Sequence, residues 1–198
     1  MIRTEYIKGN ETLLVMVDDH DAELPDVNGA SLLLIHDVDW NKDLSPWPAK
    51  RVFKKGEDFS GHADDTLKII LNAMEQISFE KAVIAGYSLA GLFALYACTK
   101  TDRFDACVSA SGSLWFPDFI PWLKANPVRS RYVYLSLGDQ EKNTRNPLMA
   151  SVEDKTREAF EEIAVYCRAD FEMNPGNHFN DPAGRLAKGI RCALKNTV

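Results

Sequence analysis

Ser88 is the residue whose surroundings most clearly predict chemistry. It lies in the segment Gly86-Tyr-Ser-Leu-Ala-Gly91, between an apolar run typical of a strand and an Ala- and Leu-rich run typical of a helix. A serine at such a sharp turn has strained backbone angles and needs small neighbours, a requirement that Gly86, Ala90 and Gly91 meet. The helix N-terminus also directs free amides, that of Leu89 first, toward a developing oxyanion. The segment therefore predicts a nucleophilic serine.

A small-residue turn between strand and helix also has two non-catalytic interpretations. Close packing of a helix on a strand needs the same small residues, and a short motif of this kind also occurs by chance. A phosphate-binding loop needs a lysine near the turn or a G-x-G-x-x-G spacing, and this segment has neither. The combination of strand, turn and helix favours the catalytic interpretation.

His178 is the predicted general base. It ends the turn-rich segment Asn174-Pro-Gly-Asn-His178, in the last strand-to-helix connection. A loop at the carboxyl edge of a sheet presents an imidazole to a serine hydroxyl, which has to lose a proton as it attacks. Of the other histidines, His20 is expected to be a solvated turn residue and His62 to take part in helix capping. His36 ends an apolar run and is either a hydrogen-bonded core residue or part of the site wall.

The acid of a catalytic triad is expected between the serine and the histidine along the chain. The loop after the apolar run 132–137 reads Gly138-Asp-Gln-Glu141 and offers two carboxylates. Glu141 lies deeper in the loop and is preferred as the acid that orients His178. Asp139, at the strand end, is the alternative. Either carboxylate also has the ordinary interpretation of a solvated loop acid.

Alternating strand and helix patterns predict the elements that position these residues. The opening segments 5–7 and 12–17 predict a hairpin, and the apolar run 31–36 predicts a strand buried on both faces. The later elements follow in the order helix 64–77, strand 81–87, helix 88–98, strand 106–110, helix 117–125, strand 132–137, helix 147–166, strand 170–173 and helix 182–195. Such alternation favours an α/β fold with a mostly parallel central sheet flanked by helices, which binds ligands beyond the carboxyl ends of its strands.

The segment 37–61 has no regular pattern, and it is long for a simple connection. It contains the aromatic residues Trp40, Trp47, Phe53 and Phe59. Long loops in compact domains tend to be functional, so these side chains are expected to wall a pocket. Whether the segment forms a mobile lid stays open.

Composition predicts one domain, residues 1–198, with little or no separate cap domain. The formal net charge of −6 and the pI near 5.3 argue against a nucleic-acid partner or an anionic membrane surface, since both need clustered positive charge. The four cysteines include no C-x-x-C pair and are expected to be structural. A polar N-terminal segment and the lack of a long apolar run predict a soluble cytoplasmic protein. No histidine pair has the spacing of a metal site, so no metal or organic cofactor is expected.

These motifs resemble the α/β-hydrolase superfamily over nearly the whole chain. Four segments are similar to the esterase group that includes esterase D-like and siderophore esterases: Gly86-Tyr-Ser-Leu-Ala-Gly91, Ser109-Ala-Ser-Gly-Ser-Leu-Trp-Phe116, Leu137-Gly-Asp-Gln-Glu141 and Asn174-Pro-Gly-Asn-His178. Ala90 stands where the commonest motif has glycine, and a small residue keeps the geometry. Siderophore esterases are usually longer than this chain, so their large substrates are not carried over.

The resemblance implies the remaining site residues. The second oxyanion amide is expected from the loop after the run 31–36, where Trp40 is chosen from residues 37–40. The segment after strand 106–110 is expected near the pocket, with Leu114 in a packing role. The predicted substrate contacts are Ser113 and Trp115 of this segment, together with Trp47 of the aromatic segment 37–61 and Tyr87 beside Ser88, which do not depend on the resemblance.

The expected reaction is hydrolysis of a small or medium ester through an acyl-enzyme, with the ester as the small-molecule partner. A thioesterase, an acyltransferase or a peptidase would use the same three residues, because a triad determines the class of chemistry and not the leaving group. A non-catalytic binding protein on the same scaffold is an alternative of a different kind.

Overall fold

The computed structural model describes residues 1–17, 29–52 and 56–197. The strands in these ranges are β1 (Arg3–Ile7), β2 (Thr12–Val17), β3 (Ser31–His36), β4 (Pro48–Ala49), β5 (Phe59–Ser60), β6 (Lys81–Tyr87), β7 (Ala106–Ala110), β8 (Tyr132–Gly138) and β9 (Arg168–Asn174). The helices are α1 (Trp40–Asp43), α2 (Ala63–Met74), α3 (Leu89–Lys100), α4 (Phe119–Ala125), α5 (Pro147–Ala150), α6 (Val152–Ile163) and α7 (Pro182–Asn196). Across those ranges no helix has the length and apolar character needed to cross a membrane.

The main sheet contains seven strands in the order β1-β3-β2-β6-β7-β8-β9. Its neighbouring strands pair in parallel, except for the antiparallel pair of β1 with β3. Helices lie against the sheet, with α3 packed on β6 and β7, and α7 packed on β6, β7 and β8. The predicted mostly parallel sheet flanked by helices is confirmed.

Apolar side chains on both faces explain why the interior strands are continuous apolar runs. Leu13 and Val15 of β2 belong to the core that α2, α3 and α6 cover. Leu14 and Met16 belong to the opposite core, together with Ile190 of α7. Successive side chains of a strand point to opposite faces, so a strand covered on both faces has no polar alternation.

The predicted opening hairpin is wrong. β1 pairs with β3, whereas β2 lies between β3 and β6, so β1 and β2 are not neighbours. Burial explains the difference, because β1 is largely exposed and lies at the sheet edge, while β2 is almost entirely buried and lies inside. The connection passes close to the turn before β3: a Cβ on Gly9 would lie 2.2 Å from the carbonyl oxygen of Gly29.

Two further segments differ from their predicted structure. The segment 37–61 contains α1 and the small antiparallel sheet of β4 and β5, and its residue Phe53 lies outside the described ranges. The predicted helix 147–166 is divided into α5 and α6 at Ser151, whose ψ of 0° departs from helical values. The remaining elements lie close to their predicted bounds.

The carboxyl ends of the parallel strands bring distant parts of the chain together. Ser88 follows β6, Ser111 follows β7, Glu141 follows β8 and His178 follows β9. Neighbouring parallel strands end at the same edge of a sheet, and this edge is where open α/β folds bind ligands.

Candidate active site

The turn between β6 and α3 holds Ser88 at φ 56° and ψ −122°, angles that a non-glycine residue rarely adopts. The Ser88 amide donates to the Ala110 carbonyl at 3.1 Å, and the Ser88 carbonyl accepts from the Ser113 amide at 3.0 Å. Gly86 is required for this turn, because a Cβ there would lie 2.2 Å from the carbonyl oxygen of Ala90. The surrounding backbone therefore maintains the strained turn at the carboxyl edge of the sheet.

His178 lies within hydrogen-bonding distance of both residues predicted to act with it. Its Nε2 is 3.0 Å from Ser88 Oγ, and its Nδ1 is 2.8 Å from Glu141 Oε2. With the proton on Nδ1, His178 donates to the carboxylate, and Nε2 accepts from the Ser88 hydroxyl. The Tyr87 hydroxyl donates to the His178 carbonyl at 2.6 Å and so fixes the backbone of the loop. The His178 tautomer with its proton on Nδ1 is the one that a general base needs, because Nε2 can then take the proton of Ser88.

The Glu141 carboxylate is buried, with 4% of its side chain exposed. Its Oε1 accepts from Ser111 Oγ at 2.7 Å, from the Gly138 amide at 2.7 Å and from the Arg185 guanidinium at 3.1 Å. Burial raises the pKa of Glu141, but hydrogen bonds from His178, Ser111 and the Gly138 amide outweigh it and hold the pKa below its ordinary value of 4.5. The carboxylate is therefore ionised at neutral pH and held toward His178.

Asp139, the alternative acid, has a different role in the structure. It is exposed, and its Oδ1 accepts from the Gly176 amide at 2.8 Å. Its own amide donates to the Asn174 carbonyl at 2.8 Å. Asp139 thus joins the loop after β8 to the loop after β9, and the contact with His178 is made by Glu141.

Arg185 is a buried cation that the sequence analysis did not identify. It lies on α7 with 3% of its side chain exposed, and donates to Ser111 Oγ at 3.2 Å and to the Pro175 carbonyl at 2.8 Å, besides Glu141. One guanidinium fork therefore joins the acid to the loop that carries His178. An arginine near the start of an amphipathic helix gives no sequence signal of this role, since such residues are ordinarily solvated.

Two backbone amides on the site have no acceptor among the described residues. They belong to Leu89 and Trp40, each the first residue of its helix, and both residues line the same cleft as Ser88. The amide of Asp39, a neighbouring candidate, donates to Asp43 Oδ2 at 3.0 Å and is already occupied. The positions of Leu89 and Trp40 are compatible with oxyanion binding, which stays a prediction.

Ser88 and His178 line a cleft of about 590 Å³. Most of its walls are apolar, and its polar side chains come from α1 and from the loops that follow β6, β7, β8 and β9. The apolar lining includes Trp40, Val52, Phe59, Trp115, Met149 and Phe179. A cleft of this volume is of the size that holds a small or medium organic molecule.

A family model described as alpha/beta hydrolase fold matches residues 41–190. The chain belongs to the α/β-hydrolase fold family. A solved structure of the siderophore hydrolase EstA from Aspergillus nidulans is similar at 18% identity and a TM-score of 0.70, over 98% of this chain and 89% of that one. The enterobactin esterase FES from Shigella flexneri is similar at 19% identity and a TM-score of 0.68, over 100% of this chain and 60% of that one.

A third solved structure, Est1E from Butyrivibrio proteoclasticus with bound ferulic acid, is 11% identical with a TM-score of 0.60, over 99% of this chain and 95% of that one. A comparison with curated protein sequences finds no match. The predicted fold family is thus confirmed, and the siderophore esterases named in the sequence resemblance recur as relatives in fold.

Trp47, a predicted substrate contact, does not line the cleft of this α/β-hydrolase. Its indole Nε1 donates to the Pro117 carbonyl at 3.0 Å. Its ring packs against Phe116 and Trp122, with centroids 5.9 Å and 5.7 Å away. A half-buried indole favours an apolar environment and an acceptor for its N–H. The rings beside α4 supply the first and the Pro117 carbonyl supplies the second.

Tyr87, another predicted substrate contact, also lies outside the cleft lining: its ring packs on the His178 ring at 5.2 Å, and its hydroxyl donates to the His178 carbonyl. Ser113 and Trp115 do line the cleft, and Ser113 Oγ lies 3.5 Å from Ser88 Oγ. Leu114 is buried in the core, as its expected packing role requires. Whether each of these residues lines the cleft depends on the direction of its side chain, which a linear sequence does not reveal.

The other histidines of the α/β-hydrolase have contacts away from the cleft. His36 Nε2 lies 3.0 Å from Glu5 Oε2, where β3 pairs with β1. His62 precedes α2 without capping it through its side chain, and its Nδ1 lies 3.1 Å from Asp65 Oδ2. His20 lies outside the described ranges.

The cysteines are free thiols, and Cys98 and Cys107 are buried. Burial raises the pKa of the Cys107 thiol, and it raises that of Cys167 to about 11. Such thiols are poor nucleophiles at neutral pH. Within the described ranges, no group of three or more His, Cys, Asp or Glu side chains is arranged to hold a metal ion.

Proposed function

We propose that this α/β-hydrolase is a serine esterase that hydrolyses carboxylic esters through an acyl-enzyme. The observation that carries the proposal is a continuous chain of contacts, 3.0 Å from Ser88 Oγ to His178 Nε2 and 2.8 Å from His178 Nδ1 to Glu141 Oε2. A hydroxyl is a weak nucleophile unless an adjacent base takes its proton, and the base works best when a third group orients it. The three side chains meet both requirements.

In the acylation step, Ser88 Oγ attacks the ester carbonyl carbon while its proton passes to His178 Nε2. The Glu141 carboxylate, ionised at neutral pH, stabilises the imidazolium that results. The carbonyl oxygen gains negative charge, and the amides of Leu89 and Trp40 are proposed to donate hydrogen bonds to it. The bond to the alkoxy oxygen then breaks, and His178 donates the proton to the departing alcohol. The product of this step is an acyl ester on Ser88.

In the deacylation step, water replaces the alcohol. His178 Nε2 removes a proton from the water as its oxygen attacks the acyl carbon, and the same amides receive the oxyanion. Collapse of this intermediate breaks the bond to Ser88 Oγ, which regains its proton from His178. The carboxylic acid leaves, and the starting protonation state is restored.

Cleft size and lining support a small or medium ester as the substrate. A volume of about 590 Å³ with aromatic and aliphatic walls suits an apolar acyl or aryl group. The similar proteins EstA and FES are named as a siderophore hydrolase and an enterobactin esterase, which supports ester hydrolysis as the reaction class. This chain spans 60% of the FES chain, and we do not transfer the substrate of that protein.

Turnover of activated esters tests the proposal. The wild-type protein should release 4-nitrophenol from 4-nitrophenyl acetate and butyrate, and Ser88→Ala should lower kcat/KM by about a thousandfold or more, because the nucleophile is lost. Ser78→Ala makes the same chemical change at an exposed site before β6, at the opposite edge of the sheet. That control should keep wild-type activity.

Retention of ester turnover by a folded Ser88→Ala protein would overturn the assignment of the nucleophile. Product analysis with added alcohol or thiol acceptors separates hydrolysis from acyl transfer, since both reactions share the acyl-enzyme. A wild-type protein that binds esters without turnover would instead support a binding role on the hydrolase scaffold.

A further inference from the structure

The charged side chains that line the cleft differ in how far they are bonded to the rest of the protein. Glu141 lines the cleft, but its two oxygens are occupied by His178, Arg185, Ser111 and the Gly138 amide. Its negative charge is therefore already satisfied on the protein side. Arg145 also lines the cleft, four residues further along the loop after β8.

Arg145 has no ion pair or hydrogen bond from its side chain to any described residue, and it is exposed to solvent. The neighbouring polar residues of this loop are already bonded to other parts of the protein. Lys142 Nζ lies 2.8 Å from Glu153 Oε2. Asn146 accepts from the first amides of α5 and donates to the Val52 carbonyl at 3.0 Å. In this loop, the guanidinium that lines the cleft is thus available to a bound molecule.

A guanidinium group is suited to bind a carboxylate, because its planar fork donates two parallel hydrogen bonds to the two oxygens. The chain as a whole carries a formal charge of −6, so its long-range field does not attract anions. A single cation beside apolar walls therefore favours a ligand with one anionic end and an apolar body.

We propose that Arg145 is a specificity residue, and that the substrate class is an ester that also carries a carboxylate. The scissile carbonyl would lie at Ser88, the apolar part of the molecule against Trp40 and Trp115, and the carboxylate at Arg145. This inference rests on the proposed esterase function. Hydrolysis itself is unchanged: water is consumed, and an acid and an alcohol are released.

Two matched pairs of substrates test the proposal. In the first, 4-acetoxybenzoate and neutral 4-acetoxybenzamide differ in charge on the leaving group. In the second, 4-nitrophenyl hydrogen adipate and 4-nitrophenyl hexanoate differ in charge on the acyl part. The proposal expects kcat/KM of Arg145→Gln to fall about tenfold for the anionic member of at least one pair, the range of a charged hydrogen bond, and to stay within about twofold for neutral members.

Arg191→Gln is the matched control. Arg191 is an exposed residue of α7 that does not line the cleft, and its substitution changes the net charge by the same amount. It should leave both members of each pair unchanged. Arg145→Glu should lower the rate for the anionic substrate further, and the preference should weaken at about 1 M salt, where the Debye length is about 3 Å.

Equal losses for anionic and neutral substrates in Arg145→Gln, or no loss for either anionic substrate, would overturn the proposal. The same selective loss in Arg191→Gln would also overturn it, because net charge and not a local contact would then be responsible. In each case, Ser88-dependent turnover of neutral esters leaves the esterase function intact. Absence of turnover for all four esters would remove both proposals together.

Discussion

At the scale of single residues, we expect substitutions of Glu141 and of Asp139 to have very different effects on kcat, although both are acids of the same loop. Glu141→Gln removes the charge that orients His178 and stabilises its protonated form, so kcat should fall by about a thousandfold or more. Asp139→Asn keeps the oxygen that accepts from the Gly176 amide, and its kcat should stay within about tenfold of wild type. Steady-state kinetics on an activated ester measure both. A larger loss in Asp139→Asn would contradict the assignment.

The lowered pKa of Glu141 also predicts how the stability of the folded protein depends on pH. Its pKa in the folded protein is held below the ordinary 4.5, so the unfolded chain binds a proton more readily as the pH falls. The stabilising contribution of Glu141 is therefore present above about pH 4.5 and is lost as the pH falls through the folded-state value. The difference in free energy of unfolding between wild type and Glu141→Gln, measured by denaturant titration, should shrink below pH 4.5. A difference that is constant with pH would contradict this.

The sequence was most informative where chemistry imposes local constraints. The proximity of Ser88 and His178 was predictable, because one needs small neighbours at a strained turn and the other lies in the last strand-to-helix loop. Trp47 and Tyr87 were predicted to contact substrate but do not line the cleft, because residue type does not reveal which way a side chain points. Arg185 was missed because its role depends on the packing of α7 beneath the loop that carries His178, a contact between distant parts of the chain.

At the scale of elements, the close approach of β6 to α3 determines the position of the nucleophile. In Gly86→Ala, the new Cβ would lie 2.2 Å from the backbone oxygen of Ala90, so the start of α3 has to shift. The free energy of unfolding should fall by about 1–3 kcal/mol, and kcat/KM should fall by more than this loss of stability explains, because Ser88 moves with the helix. Thermal unfolding and ester kinetics measure the two effects.

Ala90→Gly is the control for that change. It creates the glycine of the commoner motif and costs about 1 kcal/mol of helix stability without a clash. Its activity should remain close to that of wild type. If Gly86→Ala retained full activity, the turn geometry would not control the nucleophile as proposed.

Burial also explains which elements the sequence predicted well. The parallel interior strands were recognised from their apolar runs, since both faces of β6 and β8 are covered. The partner of β1 was not predictable from its short exposed pattern, because edge pairing depends on where β2 and β3 lie in the sheet. Local pattern identified the strands, and long-range packing determined their order.

At the scale of the whole molecule, the two cores share one sheet. Residues of β2 and β6 contribute to both, so neither core is expected to unfold while the other remains. The single domain predicted for residues 1–198 should therefore unfold in one transition, with equal calorimetric and van't Hoff enthalpies. Differential scanning calorimetry measures this, and two resolved transitions would contradict a single cooperative unit.

The chemical state of Ser88 is the central claim, and a fluorophosphonate probe tests it most directly. Such a probe forms a bond to a serine oxygen only when a base activates the hydroxyl and the amides of an oxyanion site donate hydrogen bonds to the phosphoryl oxygen. The folded wild-type protein should gain one adduct, mapped by mass spectrometry to the peptide that contains Ser88, and His178→Ala should gain none. A folded protein without an adduct, or with its adduct on another residue, would contradict the proposed mechanism.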